Sequence, residues 1–586
     1  MKKIKSIILF ILIGLTGCNE YFLDKEPLDI ISDAVVWEDP ALIDAYLADL
    51  YYRVDFIELR GNLGEQTSFA MIASMGGEGR SFGGHHLSYK SSTEVITSAG
   101  IYSELDYWNY QNVRDCNYLI EKIQESAVDQ DLVDQRISEV RFLRAYMYFQ
   151  MVIRFGGVPI VTEALPIDAG EEEIYAPRDS EKDVYNFIID EMDDIAGILP
   201  SEYAEADKGR PTKWAAMALK SRAALYAASI AKYSEEQLNG LLGFPASDVS
   251  HYAQISYDAS NAIINDGIHA LYEQIADPAE NFQNLFLDES AANTEVIMSE
   301  VYDYSKNRAH AYTLRATPHD FSNTWASMLV LYDWVERFEF ADGTPGTSIS
   351  RDDLNYPTSG KEWSPDEIFG NRDPRFRATV FYPESPWQGG KVLFHKNTIR
   401  DGVTYSAGTA EDGWPYAAHR RNWLRTGLMP RKRCNESISP EPIQNDDTDF
   451  IIFRLGETYL NLVEAAFYLG KNGEALTALN RLRERAGMPP KSEITEEIIQ
   501  NERLVELTWE NQSYWDMRRW RIAKDVLDGV RMKGLEYTYN YDTKKYIIRL
   551  KNAEGVARTF LDHNYYLPLG VDRVAENPNF VENPGY

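Results

Sequence analysis

Glu502, Glu506 and Glu510 stand four residues apart and so share one face of a helix. Carboxylates at that spacing are raw material for a metal site or for acid–base catalysis. They also pair readily with arginines, and Arg503, Arg518 and Arg519 lie close by in sequence, so ion pairs locking two helices together are the expectation. Gly79-Arg80-Ser81-Phe82-Gly83 fits the G-x-S-x-G pattern of a nucleophile elbow, which needs a strand before the serine and a helix after it. Gly84, His85 and His86 follow instead, in a stretch without periodicity, and a hydrolase ranks last among the readings. Adjacent loop histidines such as His85 and His86 seldom hold a metal without further ligands. Asp446-Asp447-Thr448-Asp449 is acidic enough for calcium but lacks the ordered spacing of an EF-hand, so a solvated loop is expected. No phosphate-cradling glycine motif occurs in a strand–helix setting. A glycosidase needs two carboxyls flanking a bond, and 91 acids nominate no pair. The expectation is no catalytic constellation, no metal ligand set and no cofactor, with bound calcium left open.

The elements that would position such residues start from the totals. The 586 residues carry 91 acids against 59 Lys+Arg, a formal charge of -32. That balance opposes binding to a phosphate backbone and excludes nucleic acid as a partner. It favours a soluble body that handles neutral or weakly charged ligands. At 44% hydrophobic the chain supports a large core, and 12 Trp with 37 Tyr offer flat amphipathic surface to a ligand.

Lys2, Lys3 and Lys5 precede an apolar run, Ile7 to Leu15, too short to span a bilayer and shaped like a secretory leader. Leu15-Thr16-Gly17-Cys18 resembles a bacterial lipobox, in which Cys18 is acylated and becomes the mature N-terminus. The alternative is an ordinary leader with a coincidental cysteine. Losing 1–17 removes three lysines and takes the charge from -32 to -35. Cys116 and Cys434 then allow at most one internal disulfide.

Apolar residues recur at helical spacing from Asp33 to Tyr52, around Val113–Ile123, Val140–Met151 and Val184–Ile195, through an Ala-rich run after Thr212, and from His251 to Asn265. Between Phe450 and Trp520, Leu455, Tyr459, Leu462, Val463 and Ala466 line one face, Gly470-Lys471-Asn472-Gly473 breaks it, and a second helix runs to Gly487. Two short helices with a tight turn, about 34 residues in all, look like one tetratricopeptide-type unit. Gly61 to Gly100 has no periodicity and reads as a long loop, and Asp288 to Asp449, rich in Gly, Pro, Trp and Tyr, reads as irregular with short strands at Val296–Tyr302 and Ala378–Tyr382. Tyr537 to Arg549 is hairpin-like.

Together these segments resemble the SusD/RagB family of outer-membrane nutrient-binding lipoproteins. The matching pieces are the leader with Phe22-Leu23-Asp24 and Pro27, Arg114 to Ile120, Arg141 to Tyr146 with Phe155 to Pro159, and Pro177-Arg178. To these add Phe338 with Asp342-Gly343, Arg372 to Phe376, Arg454 to Leu460, Arg518-Arg519-Trp520 and Asn583 to Tyr586. The resemblance implies a mainly α fold, a tetratricopeptide-like helical-hairpin superhelix with an irregular, loop-rich, partly β insertion. It implies a leader at 1–17, a helical-repeat part at 18–287 with its Gly-rich loop at about 61–100, a ligand-binding part at 288–449, helical repeats again at 450–530, and a mixed segment at 531–586 on the body. It further implies a non-catalytic protein lipid-anchored through Cys18 on the outer membrane, facing outward, that captures an oligosaccharide or polysaccharide and covers a SusC-type TonB-dependent transporter. Part of the family resembles peptide binders, which is the alternative.

Sugar contacts in such proteins lie on variable loops, so the motifs do not name them. Stacking on sugar faces asks for aromatic rings among hydroxyl-reading polar side chains. Two regions offer that mixture: Arg80, Phe82, His85, His86 and Tyr89 in the Gly-rich stretch, and Tyr302, Tyr304, Arg308 and Tyr312 through to Trp325. Trp325 and Tyr304, surrounded by Asn, Asp, Ser and Thr, are the leading candidates; Trp387, Trp414 and Trp423 form a third group. For any one of these rings the competing role is packing beneath its loop.

Overall fold

A computed structural model describes residues 36–54, 56, 68–83, 90, 92–99, 105–166, 168–322, 326–439 and 445–586, with backbone alone at 68–71. Cys18, His85, His86, Tyr89 and Trp325 lie outside the described residues.

The helical periods resolve into α1 (Pro40–Val54), α2 (Tyr110–Gln124), α3 (Gln130–Phe155), α4 (Glu181–Ala196), α5 (Lys213–Tyr233), α6 (Val249–Ile264), α7 (Leu455–Tyr468), α8 (Asn472–Arg485), α9 (Glu496–Glu506) and α10 (Ser513–Arg519). Asp129, Ser180, Thr212 and Thr495 each place a side-chain oxygen on a first-turn N–H, starting α3, α4, α5 and α9. Each such cap is worth about 1 kcal/mol. The helices pack in succession, α2 on α3 through to α5 on α6. The stack then continues from α6 straight onto α7 and α8, so everything between α6 and α7 is an excursion from it. Small side chains make the close approach: Ala223, Ala224, Ala227 and Ala228 are fully buried. At the same seam Ser221 Oγ lies 2.7 Å from Ser260 Oγ and accepts from Asn461 Nδ2 at 3.1 Å. This is the mainly α, stacked-hairpin architecture that the periodicity implies. Among the described residues no helix is long and apolar enough to cross a membrane.

Glu502 and Glu506 lie on α9, while Glu510 falls in the turn after it instead of on the same helix; all three form ion pairs, but not with the expected arginines. Glu502 lies between Arg375 (2.6 Å) and Arg483 (2.8 Å). Glu506 meets Arg375 and Arg454, both at 2.8 Å, and Arg485. Glu510 holds Arg454 (2.8 Å) and Lys432. Arg503 instead pairs with Asp516 (2.8 Å), Arg519 with Asp516 (2.8 Å) and Glu464, and Arg518 donates to the Tyr565 carbonyl (2.7 Å). The glutamate face of α9 looks across at chain from 372–375, 432, 454 and 483–485, partners that spacing along one helix cannot reveal. Cys116 and Cys434 are separate, buried free thiols.

The excursion supplies most of the strands: β1 (Gly79–Ser81), β2 (Val296–Glu300), β3 (Met328–Val330), β4 (Glu362–Trp363), β5 (His395–Arg400), β6 (Val403–Tyr405), β7 (Phe450–Arg454), β8 (Lys533–Asn540) and β9 (Lys545–Asn552). β1 pairs antiparallel with β3 and β2 with β7. A five-stranded sheet has the order β4-β9-β8-β5-β6, with β5 and β8 parallel. Three expectations change. The stretch 61–100 holds a helix, Ser68–Met75, and β1 as well as loop. Only Val380–Phe381 of the Ala378–Tyr382 run is strand, because Asp373 caps a short helix at Pro374–Thr379. The C-terminal hairpin, β8 and β9, joins the excursion's own sheet, so the loop-rich part and the 531–586 segment share one framework.

Candidate functional site

The antiparallel β1–β3 ribbon sets Ser81 opposite Met328, and beyond that pair Phe82 meets Ser327. There the Phe82 amide donates to the Ser327 carbonyl at 2.8 Å. Gly79 allows the pairing, since a Cβ there would sit 2.3 Å from the Leu329 carbonyl oxygen and 2.8 Å from the Trp509 ring. Glu78 ties the ribbon to the helical stack: its buried carboxylate accepts from the Trp509 amide at 2.5 Å and from the Ser513 hydroxyl.

Burial pushes the Glu78 carboxyl up to about 7, against the pull of its Ser513 and Trp509 hydrogen bonds. A carboxyl raised in the fold contributes stability that is complete below pH 4.5 and lost as pH rises through 7. We expect Glu78→Gln, neutral at every pH, to gain on the natural chain by about 3 kcal/mol between pH 4.5 and pH 8 in denaturant titrations. The lost acceptor adds a constant offset; a difference that does not vary with pH would refute the burial argument.

Around Phe82 the structure gathers residues from three segments. The Arg421 guanidinium sits over the Phe82 ring, 5.1 Å from its centroid. His319 and His419 stack nearly parallel, with centroids 3.5 Å apart at 12°. Asn422, fully buried, holds this arrangement: its carbonyl accepts from the His319 amide (3.0 Å) and its amide donates to Asp320 (2.8 Å) and the Leu393 carbonyl (3.0 Å). Partial burial, then the neighbouring His419 and Arg421 charges, hold His319 below the usual imidazole range. A stacked imidazole pair offers a flat face with hydrogen-bonding edges, which suits a sugar ring. Trp423, at the end of the same short helix, is anchored by its indole N–H to the Ala418 carbonyl (3.2 Å).

The second candidate region divides. Tyr302 packs edge-on to His310, centroids 4.7 Å apart, beneath Arg308 at 5.3 Å. Arg308 pairs with Glu300 at 2.6 Å, and both line a separate cavity of about 210 Å³ with Asp44, Tyr51, Lys208 and Arg210. Tyr304, on a short turn, is 49% exposed. Tyr312 is buried against Phe450 and Arg433, so the structure makes it a packing residue. Arg80 is likewise buried and donates to the Ser81 and Ala553 carbonyls, joining β1 to the end of β9. Neither side chain faces a ligand, because an inward-facing strand residue and the first turn of a packed helix both point into the core. Trp387 is buried too, edge-on to Phe381.

The remaining chemical motifs serve the frame. Ser81 lies in β1 with its hydroxyl donating to the Gly83 carbonyl (3.2 Å). The acidic run serves backbone amides: Asp446 accepts from Thr313 (2.9 Å), Asp447 from Tyr304 (3.3 Å) and Asp449 from Tyr302 (2.9 Å). Among the described residues no group of three or more His, Cys, Asp or Glu side chains is arranged to hold a metal ion. Sequence reasoning missed His319, His419, Arg421 and Asn422. His419-Arg420-Arg421-Asn422-Trp423, polar residues around an aromatic, carried the same composition signal as the chosen loops.

Residues 294–586 match the family model described as the SusD family, and residues 22–225 match one described as starch-binding associating with outer membrane. SusD-like protein P25 of Formosa agariphila is 22% identical over 580 residues, covering 94% of this chain and 95% of that one. The starch-binding protein SusD of Bacteroides thetaiotaomicron is 22% identical over 499 residues, covering 83% of this chain and 78% of that one. Among solved structures, a SusD-like protein from Bacteroides fragilis superposes with a TM-score of 0.71 at 24% identity, covering 96% of this chain and all (100%) of that one. A laminarin-binding SusD-like protein superposes at 0.62 with 18% identity, covering 94% of this chain and 100% of that one.

Proposed function

This chain belongs to the SusD family, and from that premise we propose that it is a non-catalytic glycan-binding lipoprotein. It is held on the outer membrane through Cys18 and delivers an oligosaccharide or polysaccharide to a SusC-type TonB-dependent transporter. The observation that carries the reading is the convergence of Phe82, Arg421 and the His319–His419 stack beside the β1–β3 ribbon. Rings and hydrogen-bonding groups on one open face suit saccharide recognition, and relatives described as binding starch and laminarin support it.

The purified protein on a glycan array, beside a peptide library, is the test. We expect saccharide binding of modest affinity, on the order of micromolar or weaker, since stacking contacts are offset by ordering costs. Peptide binding without saccharide binding would replace the ligand class, and turnover of a bound polysaccharide would overturn the non-catalytic reading. For the anchor, Cys18→Ser is expected to move the protein from the membrane fraction to the soluble fraction, since attachment depends on the acyl chains. Membrane retention of that variant would refute the lipid tether.

A further inference from the structure

In a chain of formal charge -32, one face of the five-stranded sheet concentrates cations. Lys396 on β5, Lys551 on β9 and Arg425, just past the short helix Arg420–Trp423, gather around Trp423. The Lys396 ammonium lies 5.3 Å from the Trp423 ring centroid. The Lys551 ammonium donates to the carbonyls of Trp423 (2.9 Å) and Leu424 (3.3 Å). Both lysines share one carboxylate, Glu536 on β8, at 3.3 Å and 3.8 Å, and no other carboxylate among the described residues pairs with either. The buried Nε of Arg425 has no hydrogen-bond partner among the described residues. Arg549, exposed, stands directly across from Glu536 in the β8–β9 register. Arg421 extends the positive charge to Phe82.

Cations left in such excess over their counter-charge repel one another, and partial burial strengthens the repulsion. Burial, with Lys396 and Arg425 adding to it, brings Lys551 down to about 8 despite the pull of Glu536. The side chains are also accessible, Lys396 at 38% and Lys551 at 20% exposure. The average surface favours neutral ligands, but this face departs from the average.

We infer that the glycan is anionic, and that Lys396, Arg425 and Lys551 receive its carboxylate or sulfate ester while a sugar ring lies against Trp423. This rests on the glycan-binding reading and narrows it to a charged substrate class.

Calorimetry with two matched pairs of polymers tests it: polygalacturonate against its methyl ester, and dextran sulfate against dextran. We expect at least one charged member to bind about tenfold or more tighter than its neutral partner, with the preference shrinking as salt rises from about 50 to about 300 mM. The two pairs separate carboxylate from sulfate recognition. Lys396→Met and Arg425→Met should each weaken the charged polymer about tenfold, while Glu536→Gln, which removes the competing carboxylate, should strengthen it. Opposite signs distinguish ligand contact from damage to the fold, which would weaken binding in all three variants. Equal affinity within both pairs, or failure of both charged polymers to bind, overturns the anionic inference; saccharide binding on the array then leaves the glycan reading standing. Capture of peptides alone removes both.

Discussion

Glu506→Gln is expected to lose about 4 kcal/mol of folding stability, measured from denaturant midpoints at neutral pH. The carboxylate is fully buried and faces three guanidiniums, Arg375, Arg454 and Arg485. Removing its charge leaves three cations in the interior with part of their compensation gone, and the desolvation they have already undergone is not returned. Glu484→Gln is the control, since Glu484 is 76% exposed and only 3.5 Å from Arg481. Such a surface pair contributes about 0–1 kcal/mol. A loss below about 1 kcal/mol for Glu506→Gln would mean that the cluster does not hold the excursion to the helical stack.

The same cluster sets a response to acid. Burial alone would raise these carboxyls, but the facing cations outweigh it and hold Glu506 well below the usual range. Glu510, facing Arg454 and Lys432, and Glu464, facing Arg519, are brought down to about 2. Carboxyls depressed in the fold contribute stability that is complete above pH 4.5 and lost as pH falls through 2. The natural chain should therefore weaken over that interval, and Glu506→Gln should show a shallower acid dependence.

The second large effect concerns binding. Phe82→Leu combined with Trp325→Ala is expected to weaken the saccharide identified on the array about a hundredfold, with the unfolding midpoint little changed. Leucine keeps the apolar bulk that Phe82 sets against the core while removing its flat face. Two lost stacking contacts at about 0.5–1.5 kcal/mol each account for a factor on that order. Tyr304→Ala is the informative comparison, because Tyr304 lies on the segment leading to Arg308 and its separate cavity. A comparable loss there, with the double variant unaffected, would move the ligand to that cavity.

Much of the frame was legible because helical periodicity is local. Alternation of apolar residues along α3 to α8, with oxygen-bearing caps at Ser180 and Thr212, specifies helices whatever their neighbours. The acid-rich α9 was also legible as ion-paired, since buried carboxylates need cations. Its partners were not: Arg375 lies 131 residues from Glu506 in the chain. The aromatic loops were recognisable as surface material by composition, yet composition did not separate exposed Tyr304 from buried Tyr312, eight positions on.

By itself the sequence determined the helices and marked out the polar-aromatic stretches from which the proposed ligand face is drawn. Tertiary structure alone decided which of those stretches meet. Pairing of β1 with β3 places Phe82 beside Ser327, and pairing of β8 with both β5 and β9 brings Lys396 and Lys551 to one carboxylate. Strand partners are chosen by backbone hydrogen bonds and by packing between distant segments, and neither leaves a period in the chain.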